Sequence, residues 1–342
     1  MKLLHCSDIH LDIPFGTLFS PEKSAERKQE ILSSFDRMVG YAVSIQARVM
    51  MITGNLIEPN HIAQRTIERL IDIIVRNPSV DFLLLPGSAE EGNYFRHLKH
   101  LPPNLKLFSG ETEFLKYENC IICSAISPET LPNFSGNHTI NIVMHFGTVD
   151  PALWAGRGID YLALGGSRAY KSGMLGARGY YCHPGSLEAL SFEDVGAKGF
   201  VEIDTQGTSI APSFVRSGKR AVASVEVDIS SAADDEAIGD LIQKATAGIP
   251  GSSMVRVRLY GKVPMERIRN IGSIERDMGK SFFAVRIDDS DVEPEVIAGE
   301  VSFDKTLKGE FIRLVMNGED NAEDKKAIIS MGLRALTGGD IL

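Results

Sequence analysis

The chain is short of several things, and each shortage narrows what it can be. It has four cysteines in 342 residues: Cys6, Cys120, Cys123 and Cys182. Cys120 and Cys123 form a C-x-x-C, but no second pair exists to complete a zinc site, and the spacing is not a disulfide framework. The surrounding segment, 119–124, is apolar and reads as a strand, so the thiols are expected to be small buried hydrophobes. No apolar run is long enough to span a bilayer. The N-terminal residues lead straight into a strand pattern without the apolar core of a signal peptide, so the expected location is a reducing cytoplasm. Excess positive charge is missing too: the formal net charge is −9. A chain that lived on non-specific nucleic-acid affinity would be basic, so any contact with DNA must use a local patch. There is no internal repeat and no low-complexity tract.

What is present is an ordinary globular composition, 43% hydrophobic and 24% charged, in a chain long enough for two domains. Residues 1 to about 215 alternate short apolar runs with helical periodicity. Residues 3–6, 49–52 and 82–85 read as strands. Residues 24–47 carry Ile31, Phe35, Met38, Ala42 and Ile45 at helical spacing, and 62–76 carry Ile67, Leu70, Ile71 and Ile74. This β-α-β-α-β order predicts a layered α/β domain. Strand candidates then follow closely at 121–125, 140–145, 161–164 and 200–203, which suits a second sheet packed on the first. The glycine-rich stretch 165–179 reads as a loop. Residues 216–318 read as a small α+β domain, with alternation over 255–260 that puts Val255, Val257 and Leu259 on one face and Arg256 and Arg258 on the other. Residues 319–342 read as an amphipathic C-terminal helix.

Polar residues collect just after the strands. Ser7-Asp8-Ile9-His10-Leu11-Asp12 follows the first, Thr53-Gly54-Asn55 the second and Pro86-Gly87-Ser88-Ala89-Glu90 the third. His145-Phe146-Gly147-Thr148-Val149 and Gly165-Gly166-Ser167-Arg168 follow later ones. Strand C-terminal ends are where two-metal phosphoesterases place Asp, Asn and His. There the carboxylates offset the charge of the cations and a bridging water becomes the nucleophile.

In order and spacing these motifs resemble those of the calcineurin-type metallophosphoesterase family: D-x-H, G-D, G-N-H-D/E, H and G-H-x-H. The flanks narrow the resemblance to SbcD/YhaO-like bacterial proteins. Leu11-Asp12-Ile13-Pro14-Phe15 resembles their LDSPF, His145 to Val149 their HGTV, and Pro184-Gly185-Ser186-Leu187-Glu188 with Gly196-Ala197-Lys198-Gly199 their PGSLE…GxKG. The resemblance spans nearly the whole chain. It implies a two-sheet metallophosphoesterase sandwich flanked by helices, with a small capping domain and a DNA-repair nuclease role. It also implies a homodimer and an SbcC-type ABC ATPase partner, although the chain has room for only one terminal docking helix.

Set against that pattern, Asp8, His10 and His145 keep family metal-ligand residues. Asn55 stands where the bridging aspartate belongs, Ser88 at the ligand asparagine and Ala89 at the histidine acid. Gly166 and Arg168 replace the last two histidines. Two dications about 3.7 Å apart repel by roughly 18 kcal/mol gross at an effective dielectric of about 20, and only one of the two matching aspartates remains to offset it. A two-metal site is therefore not expected. The expected cofactor is none, or one weakly held divalent ion, manganese first. Glu58, Glu90, Asp12 and His183 are the candidate substitute ligands, with a bland reading as loop residues beside it. A further expectation is that Arg168 pairs with Asp8 and fills the vacated position as an internal cation. For DNA, the candidate contacts are Arg256, Arg258, Lys262, Arg267 and Arg269, interleaved with acidic residues that would neutralise them. The leading expectation is a divergent SbcD-like repair protein with weak or lost nuclease activity, acting as a binding or architectural subunit. The alternatives are a manganese-dependent exonuclease or phosphodiesterase with substitute ligands, and a stand-alone phosphoesterase for small nucleotides.

Overall fold

The computed structural model describes residues 1–109, 111–134, 139–176, 179–205, 210–264, 271–295 and 307–319, with 321, 324, 325, 328, 329, 331 and 332 beyond them. The chain divides into two compact units, Met1–Ala221 and Val222–Leu342.

The first unit opens with β1 (Lys2–Cys6), α1 (Pro21–Ser44), β2 (Val49–Thr53), α2 (Gln64–Val75), β3 (Asp81–Leu85), α3 (Ala89–Arg96) and β4 (Leu105–Leu107). The strands β1 to β4 are parallel in that order. Such neighbours need crossover helices, which the right-handed rule stacks on one face. Two later strands, β11 (Gly199–Asp204) and β12 (Ala211–Arg216), add antiparallel to the β1 edge, giving the order β12-β11-β1-β2-β3-β4. The second sheet has the order β5-β6-β7-β8-β10-β9. It is built from β5 (Phe114–Lys116), β6 (Cys120–Ser124), β7 (Ile140–Phe146), β8 (Tyr161–Gly165), β9 (Lys171–Met174) and β10 (Tyr180–His183). The expected two-sheet sandwich is what forms.

Strand alternation decides what lies between the sheets. Leu3, Val49, Met51 and Leu83 of one sheet pack on Ile122, Ile142, Met144 and Ala163 of the other. His5 points into the same layer and is fully buried. Its ring nitrogens bond Tyr161 Oη at 2.9 Å and Thr53 Oγ1 at 2.8 Å. Burial, and then the neighbouring His183, push its pKa down to about 3, so it is neutral. All four cysteines are free and buried, as the apolar context of Cys120 and Cys123 predicted.

Two details differ from the expectation. The stretch read as a loop from 165 to 179 contains β9, an edge strand too short and polar to show in the hydrophobic pattern. Residues 216–221 fold with the first unit. Ser217 and Gly218 donate backbone N–H groups to the Lys198 carbonyl, and Arg220 pairs with Glu30 of α1 at 2.6 Å. That pair belongs to a buried network in which Arg27 bonds Glu30 and the Ala189 carbonyl, while Ser34 and the Lys219 N–H bond Glu188. The network fastens α1 to the 184–188 segment. The three cations around Glu30 outweigh burial and take its pKa down to about 2.

The second unit holds β13 (Val222–Asp228), α4 (Asp235–Ala245), β14 (Met254–Pro264), α5 (Ile271–Met278) and β15 (Ala284–Glu295). The three strands are parallel in the order β13-β14-β15, and α4 and α5 are their crossovers. Val255, Val257, Leu259, Val285 and Ile287 form its core with Ile238 and Ile242. A further helix, α6 (Leu307–Met316), buries Ile312 against Ile329. Most of the expected C-terminal helix lies outside the described residues. Among the described residues no helix is long and apolar enough to cross a membrane.

Candidate functional site

The motif segments meet at one end of the first unit's two sheets, on the loops that leave β1, β2, β3, β7 and β8. The backbone there is unusual. Among the described residues five non-glycine residues have φ near +50° to +63°, and four of them are Asp8, His10, Asp12 and Asn55. The left-handed region costs an L-residue about 1 kcal/mol, less for Asn and Asp. Such residues cluster where surrounding contacts over-determine the backbone. Here those contacts are visible. Asp8 N–H donates to the Gly54 carbonyl, His10 N–H to Asn55 and Leu11 N–H to Leu56, so the two loops zip together.

A second clamp was missed in the sequence. Glu91, 1% exposed, accepts four backbone N–H groups: Asn55 at 3.1 Å, Leu56 at 2.6 Å, Ile57 at 3.1 Å and Gly87 at 2.7 Å. Burial pushes its pKa up, and the four donors oppose that. Ser88 explains its placement. Ser88 is the N-cap of α3 and its Oγ accepts the Glu91 N–H at 3.1 Å. The signal was legible as the capping pattern Ser88-Ala89-Glu90-Glu91. Glu90, the candidate substitute ligand, is exposed on the first turn of α3.

Asp8 is the centre of the cluster. It is 2% exposed. Its Oδ1 accepts from Asn55 Nδ2 at 2.9 Å, and its Oδ2 accepts the backbone N–H groups of Gly166 at 3.0 Å and Ser167 at 3.2 Å. Burial raises its pKa, but His10 and the hydrogen bonds, Asn55 among them, bring the net shift below the ordinary carboxylate value. Asn55 thus does more than lack a charge: its amide donates to the carboxylate that a bridging aspartate would repel. Gly87 makes room for it, since a Cβ there would lie 2.5 Å from Asn55 Oδ1.

His10 stands between two carboxylates. Its Nδ1 is 2.5 Å from Glu58 Oε1 and its Nε2 is 3.8 Å from Asp8 Oδ1. Burial lowers its pKa, yet Asp8 and Glu58 outweigh burial and the net shift is upward. The internal cation expected from Arg168 is therefore misassigned. Arg168 is 41% exposed and turns its Nε to Asp194 Oδ1 at 3.4 Å, while its carbonyl accepts from the buried Lys198 at 2.7 Å. The physical reason is that three N–H donors already surround Asp8, and the Asp194 carboxylate offers the guanidinium a partner closer at hand. The basic group that faces Asp8 is His10, whose Nε2 lies 3.8 Å from Asp8 Oδ1.

The other side of the pocket is built from neutral imidazoles. His145 Nδ1 lies 2.8 Å from the Ala125 carbonyl, which can only accept, so Nδ1 carries the proton and Nε2 is left as an acceptor. Its ring packs on Trp154, centroids 5.0 Å apart, and burial lowers its pKa. His183 sits at the end of β10, buried, with Nδ1 unpartnered. Its pKa is lowered by burial first, with Asp8 opposing and Lys171 adding to the fall. Asp12 accepts the Ala63 N–H at 2.9 Å and fixes the approach to α2. One residue gave no signal in the sequence. Phe146 lies against Gly54, Gly165 and Gly166, where a Cβ on Gly54 would come 2.1 Å from its Cδ2.

The groups that a pair of divalent ions would need are engaged within the protein. Both Asp8 oxygens are held by protein donors, His10 is committed to Glu58, and Gly166 contributes only its backbone. Among the described residues no three His, Cys, Asp or Glu side chains are grouped as a ligand set.

Two of the five basic candidates of the second unit are paired with carboxylates. Arg256 pairs with Asp288 at 3.2 Å, and Arg258 with Asp291 at 2.7 Å and Glu226 at 3.4 Å. The cause is β15, which runs past residue 287 and lays its acidic stretch along β14. Lys262 shows no ion pair among the described residues, and Arg267 and Arg269 lie outside them.

No protein-family model matches the chain, and no curated protein sequence matches it. Among solved structures it is similar to the crystal structure of TT1561 of Thermus thermophilus, at 14% identity. That match covers 63% of this chain and 99% of the other, with a TM-score of 0.39. So loose a likeness says nothing about the site.

Proposed function

We propose that this chain is a divergent, SbcD-like metallophosphoesterase homologue that serves as a binding or architectural subunit in DNA repair and has weak or no nuclease activity. One observation carries the loss of activity: both oxygens of Asp8 are engaged by Asn55, Gly166 and Ser167 donors at 2.9–3.2 Å. A metal at Asp8 would have to share Oδ1 with the Asn55 amide, whose N–H donors would face the cation, and a buried donor displaced and left unpaired costs about 1–3 kcal/mol. The repair assignment is supported by the motif order and the three flanking segments, and by the sandwich that sets the motifs at one end. No hydrolytic step follows from these residues.

One observation favours a second reading, a single bound divalent ion. His145 keeps Nε2 as an acceptor and His183 keeps a buried, unpartnered Nδ1; this is the tautomer control that metal-ligating histidines use. The test is an activity panel on the full chain with manganese present. The proposal expects no nicking or resection of linear DNA, no cleavage of bis-p-nitrophenyl phosphate, and co-purification with a coiled-coil ABC ATPase. Manganese-dependent DNA cleavage abolished by His145→Ala would replace it with the metal-dependent reading. Cleavage of the small diester alone would make the chain a stand-alone phosphoesterase.

A further inference from the structure

A cavity of about 530 Å³ opens between α1 and α2 in the first unit. Its position follows from the topology. Because β1, β2 and β3 are consecutive and parallel, α1 and α2 lie side by side on one face of the sheet. The seam of α1 is written at four-residue spacing as Ser24, Lys28, Leu32 and Asp36. Small and polar side chains on such a seam leave the groove between the helices unfilled. The facing wall is the start of α2, with Arg65, Thr66 and Arg69. That turn begins at Ala63, which provides no side-chain cap.

The charges in the groove are unevenly used. Asp12 spends one oxygen on the Ala63 N–H, and Asp36 pairs with Arg69 at 2.9 Å. Lys28 and Arg65, one on each helix, form no ion pair or side-chain hydrogen bond among the described residues. Arg69 is held by both Asp36 and Asp72, at 2.9 and 3.1 Å, which leaves Lys28 and Arg65 as the lining cations without an ion-pair partner among the described residues. Hydroxyl and amide groups of Ser24, Gln29 and Ser33 line the α1 side. The volume falls in the range of small-ligand sites, whose walls place a few polar groups to orient the ligand.

We propose that this groove binds a small phosphate-bearing anion of nucleotide size. Lys28 and Arg65 neutralise the phosphates from opposite walls, and the hydroxyl and amide groups orient them. Two cations held apart on separate helices suit a ligand with at least two negative charges, which a diphosphate supplies. Binding here does not depend on how the Asp8 pocket is read.

The experiment is calorimetric titration of the full chain with ADP and, separately, with pyrophosphate. The Lys28→Ala/Arg65→Ala double variant is titrated alongside, with Lys116→Ala as a distant charge control. Saturable binding is expected that weakens at least about tenfold in the double variant, is unchanged in the control, and falls with added salt. Equal affinity for the two probes would assign recognition to phosphate alone; tighter ADP binding would extend the site to the nucleoside. Neither substituted side chain has a partner among the described residues, so the double variant should melt with the wild type, which a thermal scan verifies. Absence of saturable heat with either probe at millimolar concentration would overturn the proposal, and so would undiminished binding by a folded double variant.

Discussion

The two sides of the pocket satisfy their polar groups differently. On the β1–β2 side the charged groups are internally satisfied: Asp8 by Asn55 and two backbone N–H groups, His10 by Glu58, and the loops by Glu91. On the β7–β10 side the imidazoles of His145 and His183 are neutral, and His183 Nδ1 has no hydrogen-bond partner among the described residues. The difference has a simple origin. A buried carboxylate without its cation is costly and demands donors. A neutral imidazole costs little to leave as it is. The acidic side is therefore closed by protein donors, and the histidine side is left open.

That contrast can be broken most severely at Glu91. Glu91→Ala strips the acceptor from four backbone donors, and a loss of about 3–5 kcal/mol is expected, read from urea unfolding. A loss below about 1 kcal/mol would mean that water or loop adjustment replaces the clamp. Next comes Asn55→Asp, which sets a second carboxylate where an amide now donates to Asp8. About 2 kcal/mol of stability should be lost at neutral pH, and the pKa of the pair should be pushed up. If Asn55→Asp is as stable as wild type without metal, the acidic side is not closed in the way described.

A pH scan sharpens the other side, because His5 extends it below the pocket. Its folded pKa, about 3, lies below the unfolded value of 6.5. A depressed base contributes stability that is complete above pH 6.5 and is lost as pH falls from 6.5 toward 3. The thermal midpoint should drop across that window, and His5→Gln should flatten the slope. A wild-type midpoint constant from about pH 7 to about pH 4 would contradict a neutral buried His5. The smallest effect belongs to His145→Ala, about 1 kcal/mol for one hydrogen bond and a ring contact on Trp154. A change of about 3 kcal/mol or more there would erase the asymmetry.

The layered architecture could be read from hydrophobic period alone, since β1, β2 and β3 are apolar runs and α1 and α2 are plainly amphipathic. The motif residues were legible as a set because each follows a strand. Their partners were not. Arg168 looked like the cation for Asp8, because charge can be read from a sequence but saturation of a carboxylate by backbone N–H groups cannot. Glu91 was hidden beside Glu90, although its N-cap Ser88 announces the helix start. Phe146 fills space between three glycines that come together only in the folded chain. That acidic residues would neutralise Arg256 and Arg258 was legible, but not which ones, because Asp288 and Asp291 are more than 30 residues away and meet them only across parallel strands.

The most direct test is a calorimetric manganese titration of the purified full chain, with Asn55→Asp measured beside it. With Asp8 held by three N–H donors and an amide at position 55, the prediction is no site pair in the wild type up to about 1 mM metal, and detectable binding only with the carboxylate of Asn55→Asp. Uptake of two equivalents by the wild type with dissociation constants below ~10 μM would contradict it.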